Sequence, residues 1–367
     1  MRSGLSESLA RGAVSALPHL GGELARCEVD LSDNTNLWGA PPAALRALHD
    51  ARADALSRYP SLYSEPLRAA LLRYVGLDNA ADVTAVTGCG SDDILDATMR
   101  AFGAPGERIA FSAPTFSMIP VLARLNGLDV AAIPLTPSFD LDVQRLVEAR
   151  AKITYICAPN NPTGTGVSRA AVEYVVAHAA GVVLIDEAYA EFAPEVFVDL
   201  VERNERVVIA RTFSKAFGMA GLRVGYGIAS IESARLIERA RGPYKVGRLA
   251  EQAVLAALEA STEGVMWVKA HASLAIENRE RVSTSLRAIG LTVLPSSANF
   301  VMVPHPRASA LASALRTQGV GVRWFGGLPS AIPDFARAHG AALRISVGPW
   351  ESMQRLLDAF SEVLRCA

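Results

Sequence analysis

Val207-Val208-Ile209-Ala210-Arg211-Thr212-Phe213-Ser214-Lys215-Ala216-Phe217-Gly218-Met219-Ala220-Gly221-Leu222-Arg223-Val224-Gly225-Tyr226-Gly227 reads as a strand running into a turn. The first four residues are apolar and mostly β-branched, as in a buried strand, and the glycines and hydroxyl side chains behind them mark a turn. Such a strand delivers Lys215 to the turn. Thr212 and Ser214 precede it and Arg223 follows, so one amine, two hydroxyls and a guanidinium suited to a phosphate come together. At an ordinary pKa near 10.4, roughly one lysine in 2,500 is neutral and nucleophilic at pH 7. Burial and a neighbouring cation such as Arg223 both lower that pKa. On this stretch alone a second reading stays open, a loop lysine whose neighbouring hydroxyls cap a helix.

Earlier strands end in similar places. Val182-Val183-Leu184-Ile185 is apolar throughout and stops at Asp186-Glu187-Ala188-Tyr189. A carboxylate at the carboxyl end of a parallel strand lies at the crevice where open α/β sheets bind ligands, and it can equally cap a helix. Ile153 to Cys157 ends in Ala158-Pro159-Asn160-Asn161-Pro162-Thr163-Gly164, a rigid turn that fixes the direction of an Asn side chain. Arg108 to Phe111 leads to Phe116, placed either to stack on a planar ring or to fill the core. Val83 to Val86 runs into Thr87-Gly88-Cys89-Gly90-Ser91-Asp92-Asp93 and then a helix, so backbone N–H groups at Ser91 and Asp92 can hold a phosphate or be capped. Asp93 stands where a dinucleotide fingerprint needs its third glycine, which argues against a nicotinamide site. Strands alternating with helices from residue 83 to 229 predict an α/β fold, a mostly parallel sheet flanked by helices.

The flanks differ. Residues 1–40 form an irregular arm contributing to a smaller domain, with the turn-rich Asn34-Thr35-Asn36 before Pro41-Pro42 starts a helix through Ala43 to Ala55. Residues 41–247 make the large domain, a helical segment at 248–286 links it onward, and 287–367 make a small α+β domain. Its expected strands are Leu291 to Leu294, Asn299 to Val303, Val320 to Trp324 and Ala342 to Val347, with a long loop from Gly326 to Gly340. Arg344 and Arg323 lie in alternating strands, either facing water or clamping an anion through paired hydrogen bonds.

The 367 residues carry 36 basic and 37 acidic side chains, so nothing points to nucleic acid, and partners are small molecules or another copy of the chain. Cys27, Cys89, Cys157 and Cys366 have no pairing spacing and read as reduced thiols of a cytoplasmic protein. The six histidines have no metal-ligand spacing, so no metal is expected. No apolar run is long enough for a membrane span, and residues 1–20 lack a signal-peptide core.

Together these motifs, with Arg58-Tyr59-Pro60 and Leu343-Arg344-Ile345-Ser346-Val347-Gly348, resemble the fold-type-I pyridoxal-phosphate aminotransferases, most closely the histidinol-phosphate aminotransferase family, over nearly the whole chain. The resemblance implies pyridoxal 5'-phosphate as cofactor and an exchange of amino and keto groups between a small-molecule donor, by family habit glutamate, and a keto acceptor. It implies that Lys215 carries the cofactor and moves the proton, and that Asp186 keeps the ring nitrogen protonated. Tyr189 and Asn161 meet the ring hydroxyl, and Phe116 stacks on the ring. Ser91, Asp92, Thr212, Ser214 and Arg223 hold the phosphate. Tyr59 matches a tyrosine that reaches the phosphate of a second copy, so a homodimer is implied; Arg344, with Arg323 and Asn36, matches substrate contacts. Asn34-Thr35-Asn36-Leu37 departs from the family's Asn-Glu-Asn-Pro, Leu17-Pro18-His19-Leu20 stands where a substrate tyrosine is common, and Trp324-Phe325 follows Arg323 where an acidic residue is frequent. The aromatic pair points to aromatic or specialised amino acids as alternative substrates. A threonine-phosphate decarboxylase reaction and a binding module without catalysis are the other readings.

Overall fold

The structure, a computed structural model, describes residues 27–365, so the expectations for residues 1–26 and for Cys366 lie outside the described residues. Eleven strands form two sheets among the described residues: β1 Val29–Leu31, β2 Val83–Gly88, β3 Arg108–Ala113, β4 Asp129–Pro134, β5 Ile153–Cys157, β6 Val182–Asp186, β7 Val207–Thr212, β8 Gly225–Ser230, β9 Phe300–Pro304, β10 Val320–Phe325 and β11 Ala342–Ser346. The larger sheet has the order β2-β8-β7-β6-β5-β3-β4, with β8 antiparallel to both neighbours and the other pairings parallel.

The aliphatic runs account for this sheet. Val183, Ile185, Val207 and Ile209 point into one core and Val182, Leu184, Val208 and Ala210 into another, so both faces of β6 and β7 are covered. Each fully buried aliphatic side chain contributes about 1.5–3 kcal/mol relative to exposure. Parallel strands ending in step bring Cys157 beside Asp186, and Asp186 beside Ala210, at the carboxyl ends of the central strands. Antiparallel β8 returns through Gly225, which is paired with both Gly88 and Thr212. A Cβ on Gly225 would lie 2.2 Å from the N atom of Ser91, so only glycine lets β8 pass under the helix start at Ser91.

The smaller sheet has the order β1-β10-β11-β9, with its own core around Leu31, Val301, Leu343 and Phe360. β1 pairs in parallel with β10, Val29 against Val320, so the segment after it enters the cavity from this sheet.

Several boundaries differ from expectation. Leu291 to Leu294 is not a strand; one hydrogen bond, from Leu294 N–H to the Met302 carbonyl, is all that ties it to β9. β4, at the sheet's edge, was not expected: its apolar run Val130-Ala131-Ala132-Ile133 is short, includes two alanines and is bounded by Asp129 and Pro134. The linking segment breaks into helices Arg248–Ala257 and Val265–Ala288, and the helix begun at Pro42 stops at His49 before a short turn of helix at Asp54–Ser57. The loop from Gly326 to Gly340 contains a helix, Pro333–Arg337, pinned by fully buried Phe335.

Candidate active site

The carboxyl ends of β5, β6 and β7, the helix start at Ser91 and one face of β10 and β11 enclose a cavity of about 370 Å3. A larger groove of about 810 Å3 between the helices Ala308–Thr317 and Trp350–Arg365 is mostly apolar in its lining, and the chemistry-bearing side chains gather in the smaller one.

At one end of the cavity the helix Ser91–Phe102 begins after Gly90 with no side chain hydrogen-bonded to its first N–H groups, whereas Ser64, Ser168 and Ser230 cap the helices that follow them. Capping by Ser91 or Asp92 is therefore not what these residues do. The free N–H groups and the positive end of the helix dipole suit an anion. Arg223 faces them, 3.4 Å from both Ser214 Oγ and Asp92 Oδ2. Gly90 has φ +79°, and a Cβ there would lie 2.6 Å from Arg223 Nη2, so a side chain would fill the cradle. Thr212 accepts from the Ser214 N–H at 3.1 Å, which sets the turn. Burial raises the Asp92 carboxyl, opposed by Arg223 and Lys215.

In the middle, Asp186 is buried, with Oδ2 accepting from the Tyr155 hydroxyl at 2.8 Å and Oδ1 from the Ala188 N–H at 3.1 Å. Burial pushes its carboxyl up to about 6, against those two donors. It forms no ion pair among the described residues, so a buried carboxylate facing the cavity lacks a cation. Phe116 forms one wall. Lys215 Nζ donates to the Asp33 carbonyl at 3.2 Å and lies 5.9 Å from the centre of the Tyr189 ring. Burial first, and the Arg344 charge second, pull its amine down to about 8.

At the other end, Arg323 and Arg344 are register partners across β10 and β11. Arg344 donates to Asn161 Oδ1 at 2.7 Å and to the Ser32 carbonyl at 2.8 Å, while its buried Nε has no partner. Arg323 lines the cavity and forms no ion pair or hydrogen bond among the described residues. Burial lowers the Arg344 pKa, and the Arg323 charge adds to the effect.

Twelve of the fourteen expected site residues line this cavity; Asn36 and Tyr59 do not. The Asn36 amide is spent on the Ala216 carbonyl and the Trp38 N–H, a turn role that its neighbours Asp33 to Thr35 do not share. Asn34 takes the inner position, donating to the Tyr189 hydroxyl at 3.0 Å and accepting from Ser346 Oγ at 3.1 Å. Tyr59 is 82% exposed and stacks on Tyr244 away from the cavity. Of the aromatic pair after Arg323, Phe325 lines the cavity and Trp324 is half-exposed. Sequence reasoning passed over Tyr155 and did not single out Asn34 within Asn34-Thr35-Asn36, whereas Phe325 was already named with Trp324 beside the arginines. A lone phenol inside the aliphatic strand Ile153-Thr154-Tyr155-Ile156-Cys157 was the available signal, because its buried hydroxyl needs a partner.

The arrangement suits a planar ring with a phosphate at the uncapped helix, a cationic ring nitrogen at Asp186 and a carbonyl carbon within reach of a partly neutral Lys215. Those features match pyridoxal 5'-phosphate: the unpaired carboxylate, the cradle at Gly90 and the lowered amine each answer one part of it.

The sequence model described as aminotransferase class I and II matches residues 27–360. A histidinol-phosphate aminotransferase from Roseiflexus castenholzii is 37% identical over 349 residues, covering 91% of this chain and 89% of that protein. One from Thermobifida fusca is 36% identical, covering 90% and 88%. The crystal structure of histidinol-phosphate aminotransferase from Sinorhizobium meliloti in complex with pyridoxal-5'-phosphate superposes with a TM-score of 0.80 at 26% identity, over 93% of this chain and 92% of that one.

Proposed function

The chain belongs to the aminotransferase class I and II family and is a pyridoxal-phosphate-dependent aminotransferase, and we propose that it exchanges the amino group of glutamate with a phosphorylated partner of the histidinol phosphate kind. The observation that carries the substrate reading is the pair Arg323 and Arg344, register partners across β10 and β11 that both line the cavity. Two adjacent guanidinium groups repel one another unless an anion lies between them, and a phosphate brings about −1.5 to −2 charges with several acceptor oxygens. Glutamate offers a carboxylate to the same pair in the other half-reaction.

Each remaining residue has a role that its surroundings support. Bound pyridoxal phosphate supplies the electron sink that stabilises negative charge on the substrate carbon. Lys215 is the covalent attachment point and then the proton carrier; with a pKa of about 8, roughly one amine in ten is neutral at pH 7. Asp186 would hold the ring nitrogen and keep a proton on it. Tyr189 and Asn161 serve the ring hydroxyl: Asn161 Oδ1 is engaged by Arg344, which leaves its Nδ2 to donate. Phe116 packs on the ring, and the N–H groups of Ser91 and Asp92, with Thr212, Ser214 and Arg223, hold the phosphate. Asn34 orients Tyr189 by donating to its hydroxyl.

A homodimer working in the cytoplasm completes the proposal. Tyr59 and Tyr244 stack on the surface, and Leu56, Leu62 and Tyr63 close by in sequence are exposed too, apolar surface suited to a second copy whose site Tyr59 would reach. The domain limits 1–40, 41–247, 248–286 and 287–367 remain our division of the chain.

The test is to compare kcat/KM for histidinol phosphate, phenylalanine and O-phosphothreonine with 2-oxoglutarate as acceptor. Preference for histidinol phosphate by about two orders of magnitude is expected. Comparable turnover of phenylalanine would overturn the phosphate reading in favour of an aromatic substrate, to which Phe325 in the cavity wall lends support. Carbon dioxide release without keto product would point to decarboxylation, and no turnover with any donor to a module without catalysis.

A further inference from the structure

Tyr155 lies at the middle of β5 and is 1% exposed, so its hydroxyl must find a partner inside the protein. Its register partner is Leu184, and the hydroxyl reaches along β6 to Oδ2 of Asp186 at 2.8 Å. Apart from the Ala188 N–H on Oδ1, this is the hydrogen bond that Asp186 has. Tyr155 does not line the cavity, so any part it plays in the chemistry passes through Asp186.

The groups around Asp186 leave that bond a definite task. Cys157 on β5 is its register partner, Asp92 approaches from the helix after β2, and Glu187 follows it in its own turn. From β7 the paired residue is apolar Ala210. Burial, Asp92 and Glu187 all favour the neutral acid, and the Tyr155 hydroxyl is the first of the groups opposing them. Glu187 is itself paired with Arg211.

We propose that Tyr155 is a positioning residue for the reaction, its hydroxyl holding the Asp186 carboxylate ionised and turned toward the ring nitrogen of the cofactor. This rests on the reading of Asp186 given above. A hydrogen bond to an ionised acceptor is stronger than one between neutral groups, and its donor stabilises only the charged form. Losing it raises the carboxyl pKa and weakens the hold on a protonated ring.

The experiment is a double-mutant cycle in the full-length protein with Tyr155→Phe, Asp186→Asn and both together. Tyr155→Phe keeps the ring that fills the core and removes one bond. Cofactor affinity is read by titrating cofactor-free protein with pyridoxal phosphate at its visible absorbance, and the acid limb by following that absorbance against pH. Tyr155→Phe is expected to weaken cofactor binding about tenfold and to move the acid limb up by about one pH unit. Asp186→Asn should weaken binding further, and in that background Tyr155→Phe should change affinity less than about twofold. Equal losses in both backgrounds, or a lower melting temperature with affinity and acid limb unchanged, would overturn the proposal and leave Tyr155 a core residue. If Asp186→Asn itself changes neither readout, the reading of Asp186 fails instead.

Discussion

In the seven-stranded sheet the residues that line the cavity stand at strand ends and in the turns behind them: Asn161 after β5, Asp186 and Tyr189 at β6, Ser214 and Lys215 after β7. In the four-stranded sheet the turn after β1 brings Asp33, Asn34 and Thr35, but the two arginines stand inside strands, Arg323 in β10 and Arg344 in β11. The difference is chemical as well as geometric. Strand ends give the first group rigid turns and an uncapped helix, fixed before any ligand arrives. The second group is a pair of like charges, register partners that both line the cavity, and it suits an anion. We propose that cofactor recognition belongs mainly to one sheet and substrate recognition to the other, and that the two meet at Lys215.

The harshest test of that division is Lys215→Ala. Without the amine there is neither attachment nor a proton carrier, so kcat should fall by at least about 10³-fold. Borohydride reduction followed by mass spectrometry should find no cofactor linked to the protein. Retained linkage would place the attachment on another side chain and dissolve the assignment of the large sheet.

Arg344→Ala tests the other sheet. It removes the bonds to Asn161 and Ser32 and half of the cation pair, and kcat/KM for a phosphorylated substrate should drop by about 10²-fold. Cofactor affinity, measured by the same titration, should change far less. A loss of cofactor affinity as large as the loss in kcat/KM would show that the two sheets do not divide the work.

The same contrast governs what could be read from sequence. Turn residues carry their own chemistry, so Asn160-Asn161-Pro162, Asp186 and Ser214-Lys215 were visible as local patterns, and the aliphatic runs gave the parallel sheet. Strand-borne groups show only alternation, which left Arg344 undecided between solvent and ligand; it is 9% exposed. Asn34 and Asn36 are indistinguishable by pattern, because what separates them is contact with Tyr189 and Ser346 from distant parts of the chain. Likewise Leu291 to Leu294 has the composition of a strand but lacks a neighbour to pair with along its length, and pairing is a tertiary fact.

Gly90→Ala is milder and sharpens the phosphate end. At φ +79° an alanine is strained, and its Cβ would press on Arg223 Nη2, displacing the guanidinium from Ser214 and Asp92. Cofactor affinity should weaken about tenfold, with KM for the amino donor unchanged once cofactor saturates. An unchanged affinity would mean that Arg223 does not face the phosphate.

The smallest effect probes the coupling between the sheets. Lys215 is pulled from 10.5 down to about 8 by burial first and Arg344 second. Only the neutral amine takes up the cofactor, so the rate of uptake by cofactor-free protein should climb with pH and level off above about 8. Between about pH 8 and 10.5 the folded chain binds fewer protons at Lys215 than the unfolded chain does. Stability of the cofactor-free protein from this group therefore rises with pH across that window and is lost as pH falls back through 8. Arg344→Leu removes the second cause while leaving most of the first, so both curves should move to higher pH by less than about one unit. Stopped-flow absorbance gives the first curve and chemical denaturation the second. Should neither move, burial alone sets the amine, and the substrate arginine has no electrical hold on the lysine across the cavity.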